Sequence, residues 1–248
     1  MRDTSDALAV MVVGVENSGV HTLVGALAGS MHPAQSGERL WENALIRFSS
    51  GRPGSCELGQ VDILIAVVSA RQGVPGEIAG LWLEAADRGI PAIIAVTHID
   101  DPSIDLEEAT AMCSRVLADG GEVFLPWLPI LADDESVCGF IDLLSEEIVD
   151  WSDGGPVLRA SETRHQELIE DMRAELCESI MLAVDDDQLF AQYLAGSPID
   201  GEEIESQMLE QISRGLRHPV FGTGLRPHLL GVGLILDVLA ALSEIRRV

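Results

Sequence analysis

The first apolar run, Leu8-Ala-Val-Met-Val-Val-Gly-Val15, is near-continuous and rich in β-branched residues. That is the pattern of a strand buried on both faces of a parallel sheet. Val61–Val68 (VDILIAVV) and Ile90–Val96 (IPAIIAV) repeat it, and Ala44–Phe48 and Pro219–Gly222 supply two shorter strands. Between these runs the period changes. Thr22–Ala28 reads as a short helix. Glu77–Arg88 sets Ile78, Leu81, Trp82 and Ala85 on one helical face, with Gly89 just past its end as a stop signal. Leu106–Ala118 is a further amphipathic helix. Strand and helix alternating at short intervals predict an open sheet with crossover helices.

The second half has a different texture. Residues 123–131 (VFLPWLPIL) hold two prolines, which suits an edge segment or loop and not a central ladder. Gly139–Trp151 fits either an amphipathic helix or a pair of strands. From Glu162 to Val184 the positions His165, Leu168, Ile169, Met172, Leu176 and Ile180 predict one long helix. Asp187–Leu194 and Glu202–Arg214 are shorter helices with acidic first turns, as the helix dipole favours. Gly231–Glu244 closes the sequence as an apolar helix.

Charge sharpens this division. The 248 residues carry 41 acids against 15 basic residues, a net charge of -26, and every basic residue is arginine; lysine is absent. Residues 101–210 hold 28 of the acids and only 4 arginines. Either an acidic unit is inserted into an ordinary α/β frame, or one continuous domain has a heavily solvated face. A field of this sign excludes a groove for nucleic-acid phosphates and favours a basic protein partner. The late apolar run is interrupted by Asp237 and is too short to span a bilayer, and the amino terminus lacks a signal-type stretch. Cys56, Cys113, Cys138 and Cys177 are widely spaced without a CxxC pair, which fits reduced thiols in the cytoplasm.

Candidate chemistry begins after the first strand. Gly14-Val-Glu-Asn-Ser-Gly19-Val20-His21-Thr22 has the glycine spacing of a phosphate-binding loop, G-x-x-x-x-G-K-[ST]. The glycines let backbone N–H groups approach an anion. A tight strand-to-helix turn would need small residues at the same places. The two side chains that serve phosphate and magnesium are replaced by Val20 and His21, and no lysine exists elsewhere to substitute.

The order of segments resembles the first, GTP-binding domain of bacterial elongation factor G and related translational GTPases, in a truncated and degenerate form. VGVENSGVHTLVGAL resembles the phosphate loop. VDILIAVVSARQGVPGEIAGLWLEAADRGIPAIIAVTHID resembles the strand, turn, helix and strand that end in the guanine-recognition motif N-K-x-D. LIEDMRAELCESIMLAVDDDQLFAQYLAGSPIDGEEIESQMLEQI and HPVFGTGLRPHLLGVGLILDVL resemble the helical end of the family's insert, the return strand, the G-S-A loop and the last helix. The resemblance implies a three-layer, P-loop NTPase-like α/β fold. Residues 1–105 and 215–248 would form its core and 106–214 an acidic α+β insert.

Site by site the correspondence is uneven. Gly14, Gly19 and Thr22 match the phosphate loop. Asp100 matches the aspartate that accepts from a guanine ring, while Thr97 and His98 replace its asparagine and lysine. Gly222 and Thr223, with Gly224, stand for the G-S-A loop. Where the magnesium-side D-T-P-G-H should precede Val61, the sequence reads Ser49-Ser50-Gly51-Arg52-Pro53-Gly54. The stretch from Gly14 to Asp100 is too short to hold the family's first switch. The groups that position and neutralise a triphosphate are thus missing together. No catalytic or metal-ligating residue is expected and no cofactor is required; GDP or GTP would bind weakly, through the positions just named. The implied function is a pseudo-GTPase acting as a protein-binding or regulatory module, with ribosome association as a further candidate. Translocation is not expected from a first domain alone.

Other residues have simpler readings. His21 and His98 at strand ends could form a repurposed pair or be solvated replacements. His218 and His228 lack ligand spacing and fit loops. Asp185-Asp186-Asp187 opens a helix and serves as its cap, with no glycine-spaced calcium loop after it. Trp127, between Pro126 and Pro129, is either an exposed contact or packing between sheet and insert. No serine–histidine–acid arrangement has a nucleophile-elbow context.

Overall fold

A computed structural model describes residues 7–224 and 229–246. Its elements are β1 (Leu8–Gly14), α1 (Val20–Leu27), β2 (Ser36–Trp41), β3 (Ala44–Gly51), β4 (Ile63–Ser69), α2 (Gly76–Asp87), β5 (Ala92–Thr97) and α3 (Leu106–Leu117). These are followed by β6 (Glu122–Phe124), β7 (Trp127–Leu131), β8 (Val137–Asp142), β9 (Glu147–Asp150) and β10 (Val157–Ala160). The last are α4 (Thr163–Leu182), α5 (Asp187–Leu194), α6 (Gly201–Ser213), β11 (Arg217–Thr223) and α7 (Val232–Ile245).

The main sheet has seven strands in the order β2-β3-β1-β4-β5-β11-β6, parallel throughout except for β2, which returns antiparallel on β3. All seven residues of β4 and of β11 are buried, as are all six of β5, which is why the apolar runs are continuous and not alternating. Helices α1 and α7 pack over β3 on one face; α2 and α3 cover the other. This is the three-layer P-loop NTPase-like α/β fold. A second, four-stranded antiparallel sheet, in the order β10-β9-β8-β7, carries helices α4–α6 after it.

The proline-rich segment 123–131 supplies the edge strand of both sheets, β6 of the first and β7 of the second. Residues 139–151 are strands, not a helix. Arg217, His218 and Pro219 pair with Glu122, Val123 and Phe124, so β6, and α3 leading into it, sit with the main sheet although the sequence division assigned 106–214 to the insert. The two subassemblies are joined at Arg217. This side chain is 2 % exposed, and its guanidinium donates to Gln211 Oε1 (2.5 Å) on α6, to Ser179 Oγ (3.0 Å) and to the Ser179 carbonyl on α4. It also pairs with Glu122 at 3.0 Å. His218 lies in β11 and not in a loop. It is buried edge-on against Trp82, with its ring nitrogens 3.0 Å and 2.7 Å from the carbonyls of Ala92 and Gly120. His228 lies outside the described residues.

Candidate functional site

The parallel strands β1, β3, β4, β5 and β11 all end at one rim of the main sheet, where open α/β folds bind ligands. β1 stops at Gly14, and the chain turns through Asn17 (φ 65°) and Gly19 (φ 88°) into α1. Positive φ is inexpensive for glycine and tolerable for asparagine. The loop is closed from inside by Ser18, fully buried, whose hydroxyl donates to the Val15 carbonyl at 2.8 Å. Thr97 braces it from β5, donating to the Ser18 carbonyl at 2.8 Å. Gly14 cannot carry a side chain, because a Cβ there would lie 2.5 Å from Val20 Cγ2. Val20 is 8 % exposed and has turned into the core beneath the loop.

A cleft of about 750 Å³ opens beside this loop. Gly14, Gly19 and Thr22 line it, and across from them stand Ser50, Gly51 and Arg52 at the end of β3. Arg52 is exposed and, among the described residues, is in no ion pair. Among the described residues the cleft's only carboxylate is Glu16. The magnesium ion that the family resemblance implies does not fit this donor set. A hard dication seeks an octahedron of oxygens with carboxylate help, whereas here a guanidinium shares the cleft with one acid. Among the described residues no group of three His, Cys, Asp or Glu side chains is placed to hold a metal.

Asp100, Gly222 and Thr223 are outside this cleft and form a second group on the rim. Asp100 is exposed on the turn after β5, beside Gly224: a Cβ built on Gly224 would stand 3.4 Å from that of Asp100. Gly222 and Thr223 are buried within β11. Thr223 donates to the Val96 carbonyl at 3.2 Å, and a Cβ at Gly222 would fall 2.8 Å from both Ile99 and Leu106. Those two positions therefore serve strand packing. Next to Asp100, Asp101 is held at about 2 by the amide and hydroxyl of Ser103, with the Arg71 guanidinium adding to the effect. His98 takes φ 69° and turns its ring to the hydroxyls of Thr97 (3.0 Å) and Ser69 (3.4 Å). His21 is exposed on α1 and lines the cleft, whereas His98 is not among the lining residues, so the structure does not bring the two histidines to one cleft.

The connection from α1 to β2 spans residues 28–35 and is tied down. Ser30 N–H donates to the Gly25 carbonyl (2.7 Å), Ala34 N–H to the His21 carbonyl (2.7 Å), and Ser50 N–H to the Gln35 carbonyl (2.7 Å). Gly25 is required there, since a Cβ would run into the His32 carbonyl. Arg52 escapes sequence reasoning, which registers only the acids missing from its neighbourhood. The available signal is that arginine is the chain's only cation.

Elsewhere the described residues hold four free cysteines, with burial raising the Cys113 thiol to about 12. Asp186 caps α5 by accepting from the amides of Gln188 (2.8 Å) and Leu189 (3.0 Å), the role expected of the aspartate triplet. Trp127 is half-buried against the core, beside α6 and α7. No described helix is long and apolar enough to cross a membrane.

Comparison with known proteins agrees with the fold. An elongation factor G-like protein of Mycobacterium tuberculosis is 28% identical over 163 residues, in strain CDC 1551 / Oshkosh and equally in strain H37Rv. The match covers 66% of this chain and 22% of those relatives, so the chain spans about a fifth of their length. A crystal structure of a Thermus thermophilus protein superposes with a TM-score of 0.79 at 21% identity, over 96% of this chain and 40% of that one. The profile of the elongation factor Tu GTP binding domain matches residues 55–218, beginning beyond the glycine loop. With two thirds of its length matched by that profile, the chain belongs to the family of elongation factor Tu GTP-binding domains.

Proposed function

We propose that this chain is a non-catalytic member of the family, a pseudo-GTPase that works as a protein-binding or regulatory module. The observation that carries this reading is the glycine loop itself. Val20 is packed under it where a lysine should reach phosphate, and among the described residues the cleft's single carboxylate, Glu16, is on the loop itself, with none at the end of β3. Removing one preorganised donor of transition-state charge costs about 3–4 kcal/mol, and here the donors are missing as a set. The partner surface in this reading is the acidic insert, and a basic protein is the complementary occupant. The division into core and insert, a cytoplasmic location and a role beside the translation machinery belong to the same proposal. Purified chain should release no phosphate from GTP with magnesium above a protein-free control. Co-sedimentation with ribosomes, or with a basic protein, should weaken as salt rises. Turnover proportional to chain concentration and abolished by Asp100→Asn would refute the non-catalytic reading.

A second reading, weak guanine-nucleotide binding without hydrolysis, is favoured by Asp100, which is exposed beside Gly224 at the rim. Calorimetry separates the two. Micromolar affinity for GDP, about 8 kcal/mol, selects the second; affinity weaker than about 1 mM, roughly 4 kcal/mol, leaves the first.

A further inference from the structure

The misfit between the cleft and a magnesium ion has a constructive side. A loop with the glycine spacing of a phosphate loop but no lysine and no metal ligands needs a positive charge from elsewhere to hold an anion. The loop and the end of β3 enclose one cleft, with His21 on its wall, and among the described residues the one permanently charged cation that lines it is Arg52. Its guanidinium is exposed, has no carboxylate partner among the described residues, and is planted on a short 3-10 turn (Pro53–Ser55). Ser55 N–H closes that turn on the Arg52 carbonyl at 3.0 Å, and Pro53 fixes its first φ. The root of the arginine is therefore held while its head remains available. Thr22 and Ser50 line the same space and carry neutral hydroxyl groups.

We propose that Arg52 replaces the family's lysine and metal together, so that the cleft takes a phosphate or diphosphate group directly on its guanidinium, without a divalent cation. A guanidinium presents a fork of N–H donors matched to phosphate oxygens and is always charged. Metal would compete with it: magnesium screens the oxygens that the arginine must grip, and is itself repelled by the guanidinium. Glu16 opposes the anion from the loop side, which sets the affinity low and gives the proposal a second, opposite handle.

This inference rests on the non-hydrolytic reading of the same cleft, but its test is binding and not turnover. Inorganic pyrophosphate and GDP are titrated into the full chain in EDTA and again with magnesium, by calorimetry and ³¹P NMR, alongside Arg52→Gln and Glu16→Gln. Both substitutions are at exposed positions. Expected are binding in EDTA, weakening on addition of magnesium, a loss of about tenfold or more in Arg52→Gln and a gain in Glu16→Gln, as befits a charge-assisted contact. If GDP binds more tightly than pyrophosphate, it must lose the same factor in Arg52→Gln. Binding that requires magnesium, binding indifferent to Arg52→Gln, or no binding of either probe at several millimolar overturns the proposal. Phosphate release from GTP, followed in parallel, would instead refute the non-hydrolytic reading and is distinguishable from each of these.

Discussion

Arg217 is the place where a single substitution should report on how the acidic helices are held to the sheet. Arg217→Met keeps most of the aliphatic stem, which lies near the Phe124 ring with the guanidinium carbon 5.8 Å from its centroid, and deletes the charge. What remains unpaired is the Gln211 amide oxygen, in a residue 2 % exposed, and one of the acceptor contacts at Ser179. A buried polar group stranded in this way costs about 1–3 kcal/mol. Gln211 is further constrained because its amide nitrogen already donates to the Ile180 carbonyl at 2.9 Å, so it cannot turn away cheaply. The ion pair to Glu122 adds less than a buried pair would, because the Glu122 side chain is 47% exposed and regains water on its own. The expected loss is about 3–5 kcal/mol, or a fall in melting temperature of roughly 6–20 °C for a chain of this size. Urea unfolding followed by far-UV circular dichroism measures it. Glu122→Gln should cost under about 1 kcal/mol. In a double-mutant cycle, Gln211→Leu added to Arg217→Met should recover part of the loss, since the amide oxygen that Arg217 had satisfied is removed with it, although the Ile180 carbonyl loses its donor. A loss below about 1 kcal/mol for Arg217→Met, or strict additivity with Gln211→Leu, would mean that the arginine merely fills space.

Three further outcomes are expected. Burial raises the Asp142 carboxyl to about 6, with Glu205 nearby pushing the same way. Its folded value stands above the unfolded one of about 4, so the folded chain binds more protons between those limits and stability falls as pH rises through that window. Asp142→Asn, which keeps an acceptor for the Leu144 amide (2.7 Å), should therefore stabilise at pH 7.5 by about 1–3 kcal/mol and lose that advantage near pH 4 in urea titrations at the two pH values. Gly25→Ala should destabilise by about 1–2 kcal/mol, the clash with the His32 carbonyl outweighing the helix propensity of alanine; a rise in melting temperature would show that residues 28–35 are not fixed. Asp186→Ala, which removes the α5 cap, should cost about 0.5–2 kcal/mol by thermal denaturation, and protease cutting within 185–194 should increase.

The continuous apolar runs of β1, β4 and β5 could be read from the sequence because a strand buried on both faces leaves nothing for polar residues to do. The helix faces could be read for the complementary reason. β2 and β10 could not: SGERLW and VLRA alternate or stay exposed at sheet edges, where little burial marks them. Residues 139–151 are ambiguous in sequence because Gly139 and the Asp142 turn interrupt two short strands whose pairing is settled only by contact with β7 and each other. Charge counting marks 101–210 as acidic but gives no sign that β6, within that stretch, pairs with β11, since the pairing joins residues far apart in sequence. In the site, glycine spacing announced the loop, while the buried state of Gly222 and Thr223 and the position of Arg52 depend on neighbours that no local pattern names. Nothing in Arg217-His218-Pro219 marks its first two residues as buried and polar; they are satisfied by partners on four other elements and their connections.

In the proposed non-catalytic reading, the missing lysine, metal ligands and first switch have one structural counterpart in the connection from α1 to β2. A ligand acts as a signal only if it binds two arrangements of the protein unequally, and it can move the balance by no more than that difference. Residues 28–35 are held by backbone hydrogen bonds to α1, at His21, Val24, Gly25 and Ala26, and to β3 at Ser50, and by the close approach of the His32 carbonyl to Gly25. Releasing them forfeits about 0.5–1.5 kcal/mol for each bond, a few kcal/mol in all. An anion reaching Arg52 gains nothing from that release, because Arg52 and the glycine loop line the cleft already. Its binding would leave the connection where it is, whatever its affinity. Regulation through this rim would then have to travel along β11, whose far end carries Arg217 and with it the helices of the insert. That route predicts that pyrophosphate and an acidic-surface partner change one another's affinity by the same factor, and that Arg217→Met brings this factor towards one; a factor unaltered by Arg217→Met would show that β11 is not the route.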